Sequence, residues 1–138
     1  DFYTEDAAGN RTEQIMPGTD ISLVFLVEKN TPENPSVDIG IAVSTMTDER
    51  IAILYSSYQN TFFEISEKQT LIKLRIPNFS LSKGTYKIVG RIMSNGEETD
   101  SIQNGIGELN VTDGDFYHSG NFGDMGVGPL LISGQWES

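Results

Sequence analysis

Ile21-Ser22-Leu23-Val24-Phe25-Leu26-Val27 sends Ile21, Leu23, Phe25 and Val27 to one face, and this spacing of two decides the fold class. Successive Cβ atoms on a strand point to opposite faces, so apolar side chains at every second position mark a half-buried β-strand. The period recurs outward from this stretch. In Val37-Asp38-Ile39-Gly40-Ile41-Ala42-Val43-Ser44 the odd positions are large and apolar and the even ones small or polar. Arg50 to Ser56 alternates likewise. Over Thr70 to Ile76, Ile72, Leu74 and Ile76 point in, while Lys73 and Arg75 point out. Tyr86, Ile88, Gly90 and Ile92 make one face of the next strand, opposite Lys87 and Arg91. Gly107 to Val111 and Leu130 to Trp136 complete the predicted set. No stretch carries a sustained i, i+3, i+4, i+7 apolar stripe, so helix is expected to be near absent.

Turn chemistry separates the runs. Pro17-Gly18, the stretch 30–35, Thr47-Asp48-Glu49, Ser82-Lys83-Gly84, Ser94-Asn95-Gly96 and Asp113-Gly114-Asp115 read as loops, and Pro77 closes the strand ending at Ile76. Sequential short strands of this kind predict an antiparallel sandwich or barrel. The chain of 138 residues suits one domain, 1–138, around a single core. Leu81-Ser82-Lys83-Gly84-Thr85-Tyr86-Lys87-Ile88 adds a finer signal, since a Tyr entering a strand just after a Gly turn is similar to the tyrosine corner of immunoglobulin-like sandwiches. There the ring packs in the core and the hydroxyl bonds upstream backbone.

Gly114 to Pro129 is rich in Gly, Asn and Asp and reads as a long loop delivering a separate last segment, about 129–138. Trp136, the one tryptophan, is expected to anchor it. A strand tethered in this way pairs within its own chain or is exchanged with a second copy, a low-cost route to a homodimer.

The formal charge of −11 comes from 20 acids against nine bases. Such a field repels phosphate backbones, so no nucleic acid is expected as a partner. All nine bases lie between Arg11 and Arg91; from Ile92 onward there are eight acids and no Lys or Arg, which reads as a solvated acidic edge. The absence of cysteine excludes disulfides, thiolate metal sites and cysteine nucleophiles, and fits a reducing compartment. No apolar run approaches a membrane-helix length and no signal-peptide pattern opens the chain. The start at Asp1-Phe2-Tyr3, without Met, reads as an excised fragment or a processed chain.

Signals for catalysis are weak. His118, beside Ser119, is the one histidine, and no Gly-x-Ser-x-Gly elbow or phosphate-binding Gly-x-x-x-x-Gly-Lys-Ser/Thr occurs. Asp113, Asp115, Asn121 and Asp124 offer oxygen ligands, but Tyr117 stands where an EF-hand loop needs its fifth-position ligand. No catalytic residue, metal or cofactor is therefore assigned.

A binding role has better support. A sugar ring presents apolar C–H faces fringed by hydroxyls, so its site wants an exposed aromatic platform ringed by polar side chains. Tyr55-Ser56-Ser57-Tyr58-Gln59-Asn60-Thr61 supplies those types within seven residues. Outward Arg75, Lys87 and Arg91 suit the neighbouring surface. The candidate carbohydrate-binding residues are thus Tyr55, Tyr58, Asn60, Arg75, Lys87 and Arg91. The simpler reading of the same stretch is a half-buried Tyr followed by a polar loop.

The order of blocks carries a resemblance. Asp6-Ala7-Ala8-Gly9-Asn10 precedes Met16-Pro17-Gly18-Thr19-Asp20-Ile21-Ser22-Leu23, and then comes Asn34-Pro35-Ser36-Val37-Asp38-Ile39-Gly40-Ile41-Ala42-Val43. Next stands Leu74-Arg75-Ile76-Pro77-Asn78-Phe79-Ser80-Leu81-Ser82-Lys83-Gly84-Thr85-Tyr86, and Gly134-Gln135-Trp136 closes the chain. This arrangement resembles the C-terminal carbohydrate-binding domain of Wzt-type ATPases, subunits of ABC transporters that export O-antigen polysaccharide. The resemblance implies an immunoglobulin-like antiparallel β-sandwich, recognition of the terminal part of the O-antigen glycan, and no catalysis by this domain. It implies a homodimer formed by exchange of the last strand, and attachment to the transporter's membrane subunit through an ATPase domain outside this chain. The expected location is the cytoplasmic face of a bacterial inner membrane. No pocket motif carries over residue by residue. Two other readings remain open: a structural or adhesin-type sandwich that binds a protein partner at an unpaired edge, and a glycosidase or lyase with a carboxylate pair that nothing in the sequence singles out.

Overall fold

The computed structural model describes residues 2–29, 32–34, 36–94, 97–101, 107–120 and 128–138. The strands in chain order are β1 (Phe2–Glu5), β2 (Arg11–Thr12), β3 (Ile21–Glu28), β4 (Ser36–Thr45), β5 (Arg50–Tyr55), β6 (Phe63–Glu64), β7 (Gln69–Ile76), β8 (Gly84–Ser94), β9 (Glu97–Ser101) and β10 (Gly107–Val111). A single 3-10 turn, Ser56–Gln59, follows β5. The protein is all-β: two antiparallel sheets pack face to face and neither closes into a barrel.

The first sheet runs β2-β1-β3-β7 and the second β10-β8-β4-β5. The two longest strands form the centre of the second sheet, paired in one ladder from Asp38↔Met93 to Thr45↔Tyr86. Each is flanked on its outer side by two short strands in tandem. β5 and then β6 line β4, while β10 and β9 line β8. In the first sheet β3 pairs with all of β7, from Ile21↔Ile76 to Glu28↔Gln69.

These registers follow from the period of two, because a slip by one residue would send the apolar set to water. Leu23, Ile88 and Leu109 are almost wholly buried between the sheets with Ile41 and Val43. A smaller cluster, Val27, Val37, Ile65 and Ile72, sits apart from this main core. Val24 is also buried although its alternation points it outward; Tyr3 and Lys73 stand directly beside it on β1 and β7. The long stems of such side chains exclude water from a β-branched neighbour.

Tyr86 is buried and its hydroxyl donates to the Ser82 carbonyl at 2.6 Å, the bond expected of a tyrosine corner. It ties the start of β8 to the loop arriving from β7. Asp48 in the β4–β5 turn and Gly18 after Pro17 have positive φ, as those turns predict.

The structure differs from the sequence reading in three places. β1, β2, β6 and β9 were not predicted: two are only two residues long, and Glu97–Ser101 has no apolar alternation. Ser56 leaves the strand and opens the 3-10 turn. The predicted strand from Leu130 to Trp136 is reduced to one bridge, Leu81↔Leu130, and Leu130, Ile132 and Trp136 are exposed. A strand needs a partner edge, and among the described residues this segment bonds the backbone at 80–82. Trp136, expected to anchor it, is fully exposed. Residues 30, 31, 35, 95 and 96 of the predicted loops, and Asn121 and Asp124 of the oxygen-ligand set, lie outside the described residues.

Tyr86→Phe is expected to lower stability by about 1–2 kcal/mol in urea unfolding, since it removes one hydrogen bond and leaves a carbonyl unpaired.

Candidate functional site

The outer face of the second sheet carries the candidate site. Gly40 stands at an outward position of β4, with Tyr55 opposite it on β5 and Arg91 opposite it on β8. Residues directly opposite share a face, so Tyr55, Gly40 and Arg91 form one row across three strands. A Cβ on Gly40 would lie 2.2 Å from Tyr55 Cε1, so the phenol ring rests on the bare glycine backbone. Any side chain at position 40 would lift the ring and break the row. The next row is Ile53, Ala42 and Val89, with Ile53 exposed. The result is an aromatic and aliphatic strip bordered by a guanidinium.

Tyr58 extends this strip. Its ring meets Tyr55 edge-on at 5.4 Å between centroids and is exposed. The turn that carries it is held by Asp38, one outward position before Gly40. The Asp38 carboxylate accepts from Ser56 Oγ at 3.0 Å, from Ser57 N at 2.9 Å and from Ser57 Oγ at 2.6 Å. Ser56 Oγ in turn accepts from Ile39 N at 3.0 Å. Burial pushes the Asp38 carboxyl up, but the Ser57 hydroxyl, the Ser57 amide and the Ser56 hydroxyl together outweigh it and hold the group below its ordinary value.

Of the six residues assigned from sequence, the structure brings three together: Tyr55, Tyr58 and Arg91. Asn60 closes the 3-10 turn in the left-handed conformation, φ 56°, which asparagine tolerates better than most residues. Its backbone therefore shapes the strip from one end. Lys87 shares the face of Arg91, but it lies four residues, or about 13 Å, down β8. It is engaged there with Asp48 at 2.8 Å. Arg75 belongs to the other sheet, on β7 opposite Ser22. The sequence reading missed Gly40 and Asp38 as site-shaping residues. The available signal was a glycine amid β-branched neighbours, which often marks close approach of another group.

A second feature opens beside Tyr55. β5 and β7 are edge strands on the same side of the sandwich, and between them lies a cleft of about 320 Å³. Phe25, Ile39, Leu54, Phe63, Ile72 and Leu74 line its apolar floor, and Tyr55, Gln59, Thr61 and Arg75 its lip. A shallower hollow of about 350 Å³ lies on the first sheet around Glu5, Asp6, Asp20 and Arg75. Lys73 is committed there to Glu5 at 2.8 Å.

His118 is exposed in a turn whose Asp115 carboxylate accepts from the Ser119 and Gly120 amides. Among the described residues no three His, Cys, Asp or Glu side chains are grouped to hold a metal ion, and no helix is long and apolar enough to cross a membrane.

No protein-family model matches the chain, and no curated protein matches it in sequence. Solved structures do. The crystal structure of the C-terminal domain of Wzt aligns over 100% of this chain and 81% of its own, with TM-score 0.71 and 16% identity. The chain has the Wzt C-terminal-domain fold. Weaker partial likenesses join this Wzt-like domain to a β-glucuronidase from glycoside hydrolase family 2 and a putative β-galactosidase from Bacteroides fragilis. Their TM-scores are 0.48 and 0.47 and their identities 17% and 15%; they cover 73% of this chain but 10% and 15% of those enzymes.

Two outcomes follow for the Wzt-like domain. Gly40→Ala overpacks the Tyr55 contact and should cost about 1–3 kcal/mol in chemical unfolding. Asp38→Asn should destabilise the fold at neutral pH. A depressed folded-state carboxyl contributes stability above its unfolded value, near 3.8, and loses it as pH falls through the lower folded value. The gap between parent and variant should thus be full at pH 7 and close on acidification below that value.

Proposed function

We propose that this Wzt-like domain is a non-catalytic carbohydrate-binding module that recognises the terminal part of an O-antigen polysaccharide destined for export by an ABC transporter. The observation that carries the proposal is the Tyr55-Gly40-Arg91 row. Two tyrosines and a guanidinium share one accessible sheet face, and the glycine lets the ring lie flat. Flat aromatic surface meets the C–H face of a sugar, while Arg91 donates to ring or exocyclic oxygens. The fold and the ordered sequence blocks support the same reading.

On this reading Tyr55, Tyr58 and Arg91 contact sugar. Asn60 shapes the turn beside them, Lys87 borders a more distant part of an extended chain, and Arg75, on the other sheet, lies off the strip. The exposed Leu130, Ile132 and Trp136 alternate as a strand does, yet among the described residues the segment forms one bridge, at Leu130, which supports exchange of the last segment with a second copy to give a homodimer. Two sites on one dimer raise the avidity of a weak module for a repeating polymer. The domain would act at the cytoplasmic face of the inner membrane, joined to the transporter's membrane subunit through an ATPase domain.

Calorimetric titration with the polysaccharide of the source organism should give saturable binding without turnover, and an unrelated glycan should give none. Tyr55→Ala is expected to weaken binding by ~1.5 kcal/mol or more, roughly tenfold. Arg91→Ala should act similarly, whereas Lys87→Ala should leave affinity within about twofold, ΔΔG below ~0.5 kcal/mol. No heat with either glycan from a folded protein would exclude this function.

A further inference from the structure

The cleft between β5 and β7 splits the hydrophobic core. Phe25, Leu54 and Leu74 on its floor belong to the main cluster, and Ile39, Phe63 and Ile72 to the smaller one. A sandwich of this size gains stability by closing such a notch, because each apolar side chain left facing water forfeits transfer free energy. Here the notch stays open along two edge strands and reaches about 320 Å³, within the range of small-molecule sites.

Its lip has a defined chemistry. Thr61, Gln59 and Tyr55 supply neutral polar groups on one side, and Lys73 and Arg75 cations on the other. Most of the other lysines and arginines in the first sheet and the β8 region already have partners. Lys73 holds Glu5, Lys87 holds Asp48, Lys83 holds Asp113, and Arg11 lies over the Tyr3 ring. Arg75 forms no ion pair with a described acid even though the chain carries 20 acids. An arginine with no ion pair among the described residues, at the mouth of an apolar notch, matches a ligand with an apolar body and an anionic head. Neither half suits a plain neutral sugar, whose hydroxyls would be left unpaired against Phe25, Ile72 and Leu74.

We propose that this inter-sheet cleft is a second binding site, separate from the sheet-face strip, for a small amphiphile carrying an aliphatic body and one carboxylate or comparable anionic head. The body displaces water from the floor formed by Ile39, Leu54, Ile72 and Leu74. The head takes charge-assisted hydrogen bonds from Arg75, which are stronger than neutral ones. The site stands on its own geometry and is independent of whether the strip binds a glycan.

Decanoate below its micellar concentration is the probe, with acetate as a head without a body and decanol as a body without a charge. Methyl resonances of Ile39, Leu54, Ile72 and Leu74 in the intact 138-residue chain provide the readout. Decanoate should shift them saturably, acetate should not, and decanol should bind about tenfold more weakly, equivalent to ~1.4 kcal/mol. Arg75→Gln should weaken decanoate by a similar factor, and Leu54→Trp, which fills the cleft, should abolish it. The Arg91→Ala variant, which disables the strip at a residue that does not line the cleft, should still bind decanoate. Unmoved floor methyls would overturn the proposal, as would equal binding to parent and Leu54→Trp. Equal affinity for decanoate and decanol would overturn the anionic-head assignment. If the floor methyls shift instead with protein concentration alone, a second copy fills the cleft and the amphiphile site is wrong.

Discussion

The ladder between β4 and β8 is the interaction on which the remainder rests. Eight residues of each strand pair without interruption, from Asp38↔Met93 to Thr45↔Tyr86. Their inward positions, Ile41 and Val43 with Tyr86 and Ile88, form much of the main core. Their outward positions fix where Gly40 and Arg91 stand. One register therefore sets both the stability of the second sheet and the spacing of its exposed row, and a slip by one residue would exchange the two sets.

From that ladder the site assembles by short-range effects. Gly40 offers bare backbone, and Tyr55 from the edge strand β5 covers it. The aromatic ring protects the glycine's backbone from water, a known way of offsetting the weakness glycine brings to a strand. Asp38, two residues earlier on the same face, clamps the turn that presents Tyr58. A strand edge that would otherwise end freely is thereby given a rigid cap, and the two tyrosines are held in an edge-on pair. Rigid placement of this kind reduces the ordering cost of binding.

The fold was largely legible in the sequence because burial in a sandwich imposes a period of two on every long strand. β3, β4, β7 and β8 each show it, and the corner formed by Tyr86 was marked by its glycine turn. The short strands left no such trace. Arg11–Thr12 and Phe63–Glu64 are too brief for any period, and Glu97–Ser101 is polar throughout. The site was only half legible. Residue types at 55–61 suggested a sugar platform, but the grouping of Tyr55 with Arg91 depends on β4 lying between β5 and β8. Likewise, nothing local told Arg75, on the other sheet, from Arg91. The last segment was misread for a different reason: its alternation at Leu130 and Ile132 is real, but a strand also needs a partner edge, and among the described residues this one forms a single bridge.

The most direct test of the central claim, that the outer face of the second sheet is the glycan-recognition surface, is backbone amide chemical-shift mapping during titration with an oligosaccharide from the polysaccharide's terminus. Shifts are expected to concentrate at Gly40, Ile53, Tyr55, Tyr58 and Arg91, with the outer face of the first sheet, at Tyr3, Ser22 and Lys73, unmoved. Shifts centred on the first sheet, or none at saturating sugar, would contradict it.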